Sequence, residues 1–183
     1  LQRRGELRGD AGAQMRCPRK RAKPRPNSSS SKCGFVHFLR LHLLPTLWFR
    51  NTWSWKKGAP KPNLREANGA IEARHPELGS CTLFCEGSAE LLFTENESNA
   101  QRLWGQPNPS PWVKDAFHRH VVAGEAGAVN PARTGTKAAA RYVLDVPAGG
   151  ASVVKLRLSA RPPAEPFGAG FDGGRQLGES KIH

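Results

Sequence analysis

Several stretches of the chain alternate apolar and polar positions with a period of two, which predicts strands. In "RYVLDV", Tyr142, Leu144 and Val146 share one face, with Val143 and Asp145 on the other. In "SVVKLRL", Val153, Lys155 and Arg157 alternate with Val154, Leu156 and Leu158. "PAGG" separates the two, so this pair reads as the clearest β-hairpin in the chain. "CTLFCEG" and "SAELLFTEN" read as two more strands around a tight turn at Glu86, Gly87 and Ser88. The second is apolar on both faces through Leu91, Leu92 and Phe93. In "FVHFLRLHLLPTLWF", Phe35, His37, Leu39, Leu41 and Leu43 oppose Val36, Phe38, Arg40 and His42. Both faces are largely apolar, the pattern of a strand buried between layers, and Pro45 marks a bend. Asn68-Gly69 is a two-residue hairpin signal. One antiparallel assembly is therefore expected, with strands over residues 35–49, 81–94, 138–146 and 151–158.

Between the strands, residues 96–131 are rich in turn formers. A short helix is expected from near Ser98 to Gly105, with Leu103 and Trp104 turned inward, and a second within residues 110–122. An excursion this long in a compact domain tends to be functional. Residues 1–34 are basic, Pro-rich and Ser-rich with nothing to bury, and read as a disordered tail. Residues 161–183 show no periodicity and read as an irregular tail. The fold class is all-β, with one domain over residues 35–160, long loops and short helices.

Composition changes the picture in three places. The net charge of +13 suggests nucleic acid, but its distribution argues against that reading. Residues 1–40 hold eleven Lys/Arg against two Asp/Glu, whereas residues 41–183 hold seventeen against thirteen. No run of about 18 apolar residues is present, so no transmembrane helix is expected. Cys17, Cys33, Cys81 and Cys85 match no zinc spacing. Cys81 and Cys85 lie on an expected strand as apolar core fillers, which fits a reducing, cytoplasmic compartment. No metal or other cofactor is expected.

Two stretches are candidates for chemistry. Trp48, Trp53 and Trp55 fall within eight residues. Indoles at that density form either a packed core or interface, or a platform on which sugar rings stack. "VNPARTGTKAAARY" concentrates Asn130, Arg133, Thr134, Thr136 and Lys137 on a turn that leads into a strand, and Gly135 permits close backbone approach. These donors either meet a neighbouring domain or substrate, or stabilise their own loop, with Arg133 pairing with Asp115 or Glu125. Asp115 and His118 share a helical face at i, i+3, a spacing that more commonly gives a surface pair than an acid–base dyad. No phosphate loop, nucleophile elbow or paired metal ligands are present.

"LHLLPTLWFRNTWSW", "LLFTENESNAQRLWGQPNPSPWVKDAFHRHVV" and "AVNPARTGTKAAARYVLDVPAGG" resemble, in that order, bacterial proteins related to glycoside hydrolase family 63, of the glucosidase or mannosylglycerate-hydrolase-like kind. The resemblance runs from about Leu41 to Asp172. It implies a partial antiparallel β-super-sandwich, which in that family precedes an (α/α)6 barrel bearing the catalytic carboxylates. The implied function is a non-catalytic sandwich fragment of an enzyme acting on glucosides or related small glycosides. Carbohydrate would be its partner through that barrel. Glu95, Glu97 and Asp115 fall at sandwich positions and none is expected to be catalytic. Asn130, Arg133, Thr134, Lys137, Trp53, Trp55, Asp115 and His118 are the expected contacts to substrate or barrel. Sequence flanking the resemblance departs from the family on both sides, which implies a fragment or a frame-disturbed gene product. The alternatives are a basic nucleic-acid-binding protein acting through residues 1–40 and an unproductive gene fragment.

Overall fold

The computed structural model describes Gly12–Met15, residues 38–56 and residues 58–171. Among the described residues ten strands form, in chain order: β1 Gly12–Met15, β2 Phe38–Leu43, β3 Thr46–Trp48, β4 Asn63–Ala67, β5 Ala70–His75, β6 Gly79–Cys85, β7 Glu90–Thr94, β8 Thr134–Gly135, β9 Lys137–Pro147 and β10 Ser152–Ser159. Two short helices, α1 Ala100–Trp104 and α2 Ala116–Ala123, and a 3-10 turn, Ala126–Ala128, lie between β7 and β8. The protein is all-β. A six-stranded sheet runs β1-β10-β6-β5-β4-β8; in a four-stranded sheet, β9 pairs with β2, β3 and β7. All pairings are antiparallel.

The core lies where the sheets face each other. Leu64, Ile71, Ala73 and Leu83 of the larger sheet meet Leu91, Phe93, Ala138, Ala140 and Tyr142 of the smaller. The opposite face of β7 and β9 is also covered, because Leu92 and Ala139 pack against Phe117 of α2. This explains why "ELLFT" and "KAAA" show no polar face. Register sets large against small: Leu91 opposes Ala140, Leu92 opposes Ala139 and Phe93 opposes Ala138. The alanines make room for the neighbouring leucine and phenylalanine side chains.

Asn68 and Gly69, at φ 51° and 75°, close the β4–β5 hairpin as their sequence signal predicts. The two other expected hairpins are not hairpins. β6 pairs with β5 and β10, and β7 pairs with β9, so residues 86–89 carry the chain from one sheet to the other. Likewise β9 and β10 belong to different sheets. Both crossings turn on a left-handed glycine, Gly87 and Gly149. The first is held from both sides: Glu86 N donates to Lys155 O at 3.1 Å, and the Tyr142 hydroxyl donates to Glu86 O at 3.0 Å.

Three further expectations are corrected. β2 is not buried between layers; Phe38 and Leu39 are 61% and 56% exposed, and among the described residues only β9 pairs with it. The chain does bend at Leu44 and Pro45, between β2 and β3. Leu103 and Trp104 are exposed rather than inward. α1 is a single turn fixed by its caps: Asn99 accepts from Arg102 N, and Gly105 ends it in the left-handed region. Within the stretch read as a disordered tail, Gly12–Met15 pairs with β10, Gly12 opposite Lys155. The rest of residues 1–34, with Cys17 and Cys33, lies outside the described residues, as do residues 172–183. Cys81 and Cys85 are free thiols packed against the core, as expected. Burial pushes the Cys81 thiol up and that of Cys85 to about 11.

Candidate functional site

The site is built around the end of β7. Leu92 and Phe93 anchor that strand in the core, Thr94 ends it, and the chain then leaves the sheet as Glu95, Asn96 and Glu97. Neighbouring segments join it from both sides. The Thr94 hydroxyl donates to Val113 O at 2.9 Å, and Glu95 N donates to Trp112 O at 2.9 Å. Thr136 N donates to Thr94 O at 3.1 Å, and Asn96 N donates to the Thr136 hydroxyl at 2.8 Å. That hydroxyl in turn donates to Glu95 Oε2 at 2.8 Å. Gly135 lies directly on Thr94; a Cβ there would collide with the Thr94 backbone carbonyl. Close backbone approach at Gly135 is thus a fact of the packing.

The loop after β3 is tied to this same strand end. Asn96 Nδ2 donates to Phe49 O at 3.1 Å, and Asn51 Nδ2 donates to Asn96 O at 3.2 Å. Asn51 also closes a turn, accepting from Ser54 N at 3.0 Å and donating to Ser54 Oγ at 2.8 Å. Trp53 is buried, and its indole N–H donates to Glu97 Oε1 at 2.7 Å. Lys61 reaches the same oxygen at 2.9 Å. Glu97 Oε2 is buried without a hydrogen-bond partner among the described residues. A buried carboxylate in contact with an indole N–H and an ammonium fixes the loop at both of its ends.

Fixing that loop leaves an open groove of about 820 Å3. Trp48, Arg50, Asn51, Thr52 and Trp55 line it from the loop, and Asn96, Ser98, Lys114 and Lys137 from the strand-end side. Trp48 and Trp55 are 54% and 87% exposed. Among these lining residues there is no carboxylate. Lys137 Nζ donates to Lys114 O at 3.1 Å and lies 5.0 Å from the centre of the Phe117 ring. Burial, then the charge of Lys114, holds its ammonium below the usual lysine range, against a smaller opposing pull from Asp115.

Of the residues singled out from the sequence, Trp48, Trp55 and Lys137 reach the groove. Trp53 lies beneath it as a support. Asn130 is used within its own turn, donating to Thr134 O at 2.7 Å and accepting from Ala132 N at 3.0 Å. Thr134 Oγ1 donates to Leu64 O at 3.1 Å. Arg133 pairs with Glu66 at 3.4 Å, not with Asp115 or Glu125, because the turn docks against β4. Asp115 accepts from Asn99 and pairs with Arg102, while Glu125 pairs with Arg119. His118 is exposed, and no side-chain bond joins it to Asp115 among the described residues. The polar turn that opens β9 is therefore mainly structural. Sequence reasoning missed Arg50, Asn51, Asn96 and Lys114 as groove residues and Glu97 as the anchor. The one signal for the anchor was a Glu-x-Glu directly after a strand that carries Leu91, Leu92 and Phe93 in succession.

Among the described residues no group of three or more His, Cys, Asp or Glu side chains could hold a metal, and no helix is long and apolar enough to cross a membrane. The uncharacterized protein YMR196W of Saccharomyces cerevisiae is 34% identical over 157 residues, an alignment that takes in 70% of this chain and 14% of the yeast protein. The chain thus spans about one seventh of the length of the curated relative it matches. No family model matches the chain, and no solved structure does.

Proposed function

We propose that the chain is a non-catalytic β-sandwich region of a glycoside hydrolase acting on glucosides or related small glycosides, and that its groove holds saccharide. The observation that carries this reading is the pair of exposed indoles, Trp48 and Trp55, on a groove lined by amide, hydroxyl and cationic donors. Apolar faces beside a few convergent polar groups suit a sugar ring, whose faces are C–H and whose rim is hydroxyl.

Glycoside hydrolysis needs a carboxylic acid on the leaving oxygen and a second carboxylate for water or the anomeric carbon. The groove supplies neither. The two nearby carboxylates have other work: Glu97 holds Trp53 and Lys61, and Glu95 holds Thr136. In this reading the catalytic pair belongs to a separate barrel, and the sandwich positions sugar beside it.

The test combines intrinsic tryptophan fluorescence with titration of gluco-oligosaccharides, and an assay on aryl glucosides. A saturable change that Trp55→Ala abolishes, without turnover, is the expected result. Turnover that vanishes in Glu95→Gln or Glu97→Gln would make this region catalytic and sink the proposal. So would the absence of any saccharide response.

A further inference from the structure

The cations of the folded region are unevenly matched. Arg40, Arg65, Arg74, Arg102, Arg119, Arg133 and Arg141 each face a carboxylate. The groove is different. Arg50 and Lys114 line it and have no ion-pair partner among the described residues. Lys137 lines it too and is held by a backbone carbonyl rather than by an acid. Three cations thus converge beside two exposed indoles with no carboxylate in the lining.

Resting on the saccharide reading above, we infer that the groove takes an acidic saccharide, one carrying a carboxylate, phosphate or sulfate on its rings. A neutral sugar would satisfy the indoles and Asn96 but leave the cations facing only water. An acid group on the ring supplies the missing counter-charge and forms charge-assisted hydrogen bonds with Arg50 and Lys114. It also relieves the repulsion between Lys114 and Lys137, whose ammonium already suffers from burial. A bare anion would leave Trp48 and Trp55 without contact. An acidic peptide would match the charge but has no ring face for the indoles.

A matched pair of probes decides the question: cellotetraose and the corresponding β-1,4-linked tetraglucuronate, which differ only at C6. With the whole chain at low ionic strength, the acidic probe should bind on the order of tenfold tighter, as expected for one or two partly exposed charge contacts. Added salt should close that gap, since exposed charges are screened. Arg50→Ala combined with Lys114→Ala should bring the acidic probe to the level of the neutral one. Both side chains are exposed, and Lys114 reaches Glu97 only through its backbone N–H, so an unchanged thermal melt is expected. Trp55→Ala should weaken both probes alike. Raising the pH should weaken the acidic probe first, as Lys137 loses its proton below the usual lysine range. Free inorganic phosphate and the sulfated tetrasaccharide separate an anion alone from an anion on a sugar. Equal affinity for the two tetrasaccharides overturns the acidic specificity and leaves the saccharide reading standing. Binding of neither overturns both. Polyglutamate binding at least as tightly as the tetraglucuronate, with loss in the Arg50/Lys114 variant, replaces the sugar with an acidic peptide.

Discussion

The end of β7 and the loop that follows β3 are neighbours tied by shared bonds, yet the loop also presents Trp55 and Arg50 to solvent. Around Thr94 the donors and acceptors turn inward: Thr94, Asn96, Thr136 and Glu95 form a continuous chain of bonds. Across the groove, Trp55 is 87% exposed and Arg50 faces no acid among the described residues. The first region holds a shape, and the second leaves an indole and a guanidinium open to solvent. Glu97 joins them, with its backbone in the first and its carboxylate beneath the second.

The comparison breaks most visibly at Phe93. It is 1% exposed and lies in the core that both sheets share. Phe93→Ala should cost about 3–5 kcal/mol, a large part of a typical margin of about 5–15 kcal/mol. A denaturant titration should show the midpoint falling far or the cooperative transition disappearing. Gly135→Ala is the backbone version of that test. Its added methyl meets the Thr94 carbonyl, which the surrounding bonds hold in place, so a loss of about 1–3 kcal/mol is expected. A melting temperature unchanged by this substitution would mean that the strand end is not rigidly held.

Glu97 tests the joint between the regions. Glu97→Ala strands the buried Trp53 N–H and removes the nearer of the two carboxylates that Lys61 faces, at a cost of about 1–3 kcal/mol. Glu97→Gln keeps an acceptor for the indole and removes only the negative charge that faces Lys61, whose side chain is half exposed. It should therefore retain most of the stability. Tryptophan emission should shift to the red in the Ala variant and stay in place in the Gln variant. Equal loss in both would assign the anchoring to charge rather than to the indole bond.

The two regions also differ in how far the sequence revealed them. Period-two alternation located β6, β9 and β10, and a short apolar run bounded by turn residues located β7, each within about two residues, because strand faces are fixed by local covalent geometry. It did not reveal partners. Residues 86–88 and 147–150 have the composition of hairpin turns, yet both carry the chain between sheets. Pairing is decided by distant strands competing for each edge, and no local pattern encodes that. Asn68-Gly69 was readable because two successive left-handed residues are what a two-residue hairpin demands. For the site, the density of tryptophans was legible, but their division into one buried support and two exposed faces was not. That division depends on Glu97, 44 positions from Trp53. The donors at residues 130–137 looked available because the sequence does not show that Leu64, Glu66 and Glu95 consume them.

Trp55 gives the contrast its second half. Trp55→Ala should change stability by no more than about 0.5 kcal/mol, as for an exposed side chain that supports nothing beneath it. It should nevertheless abolish the saccharide response. Large destabilisation in this variant would mean that the indole belongs to the frame rather than to the groove.

The smallest effect is expected at the exposed edge, where β2 meets β9. Arg40 Nε and Nη2 bond both oxygens of Asp145 at 3.0 and 3.1 Å, directly across the register of the two strands. The hydrogen bond to Arg40, then its charge, holds the Asp145 carboxyl below its ordinary value of 3.8. A carboxyl depressed in the folded state stabilises the fold above its unfolded value. That contribution is lost as pH falls through the folded value, so the window lies below about pH 4. Both partners are open to solvent, so screening keeps the effect small. Asp145→Asn should leave the melting temperature at neutral pH almost unchanged and flatten its decline in that acidic window. High salt should flatten the parent protein's decline in the same way. An acid limb that keeps its full slope in Asp145→Asn would place the titrating carboxylate elsewhere, with Glu72 the next to change. Its carboxyl is depressed by hydrogen bonds from Arg74 and then Arg65, on the same kind of open strand surface.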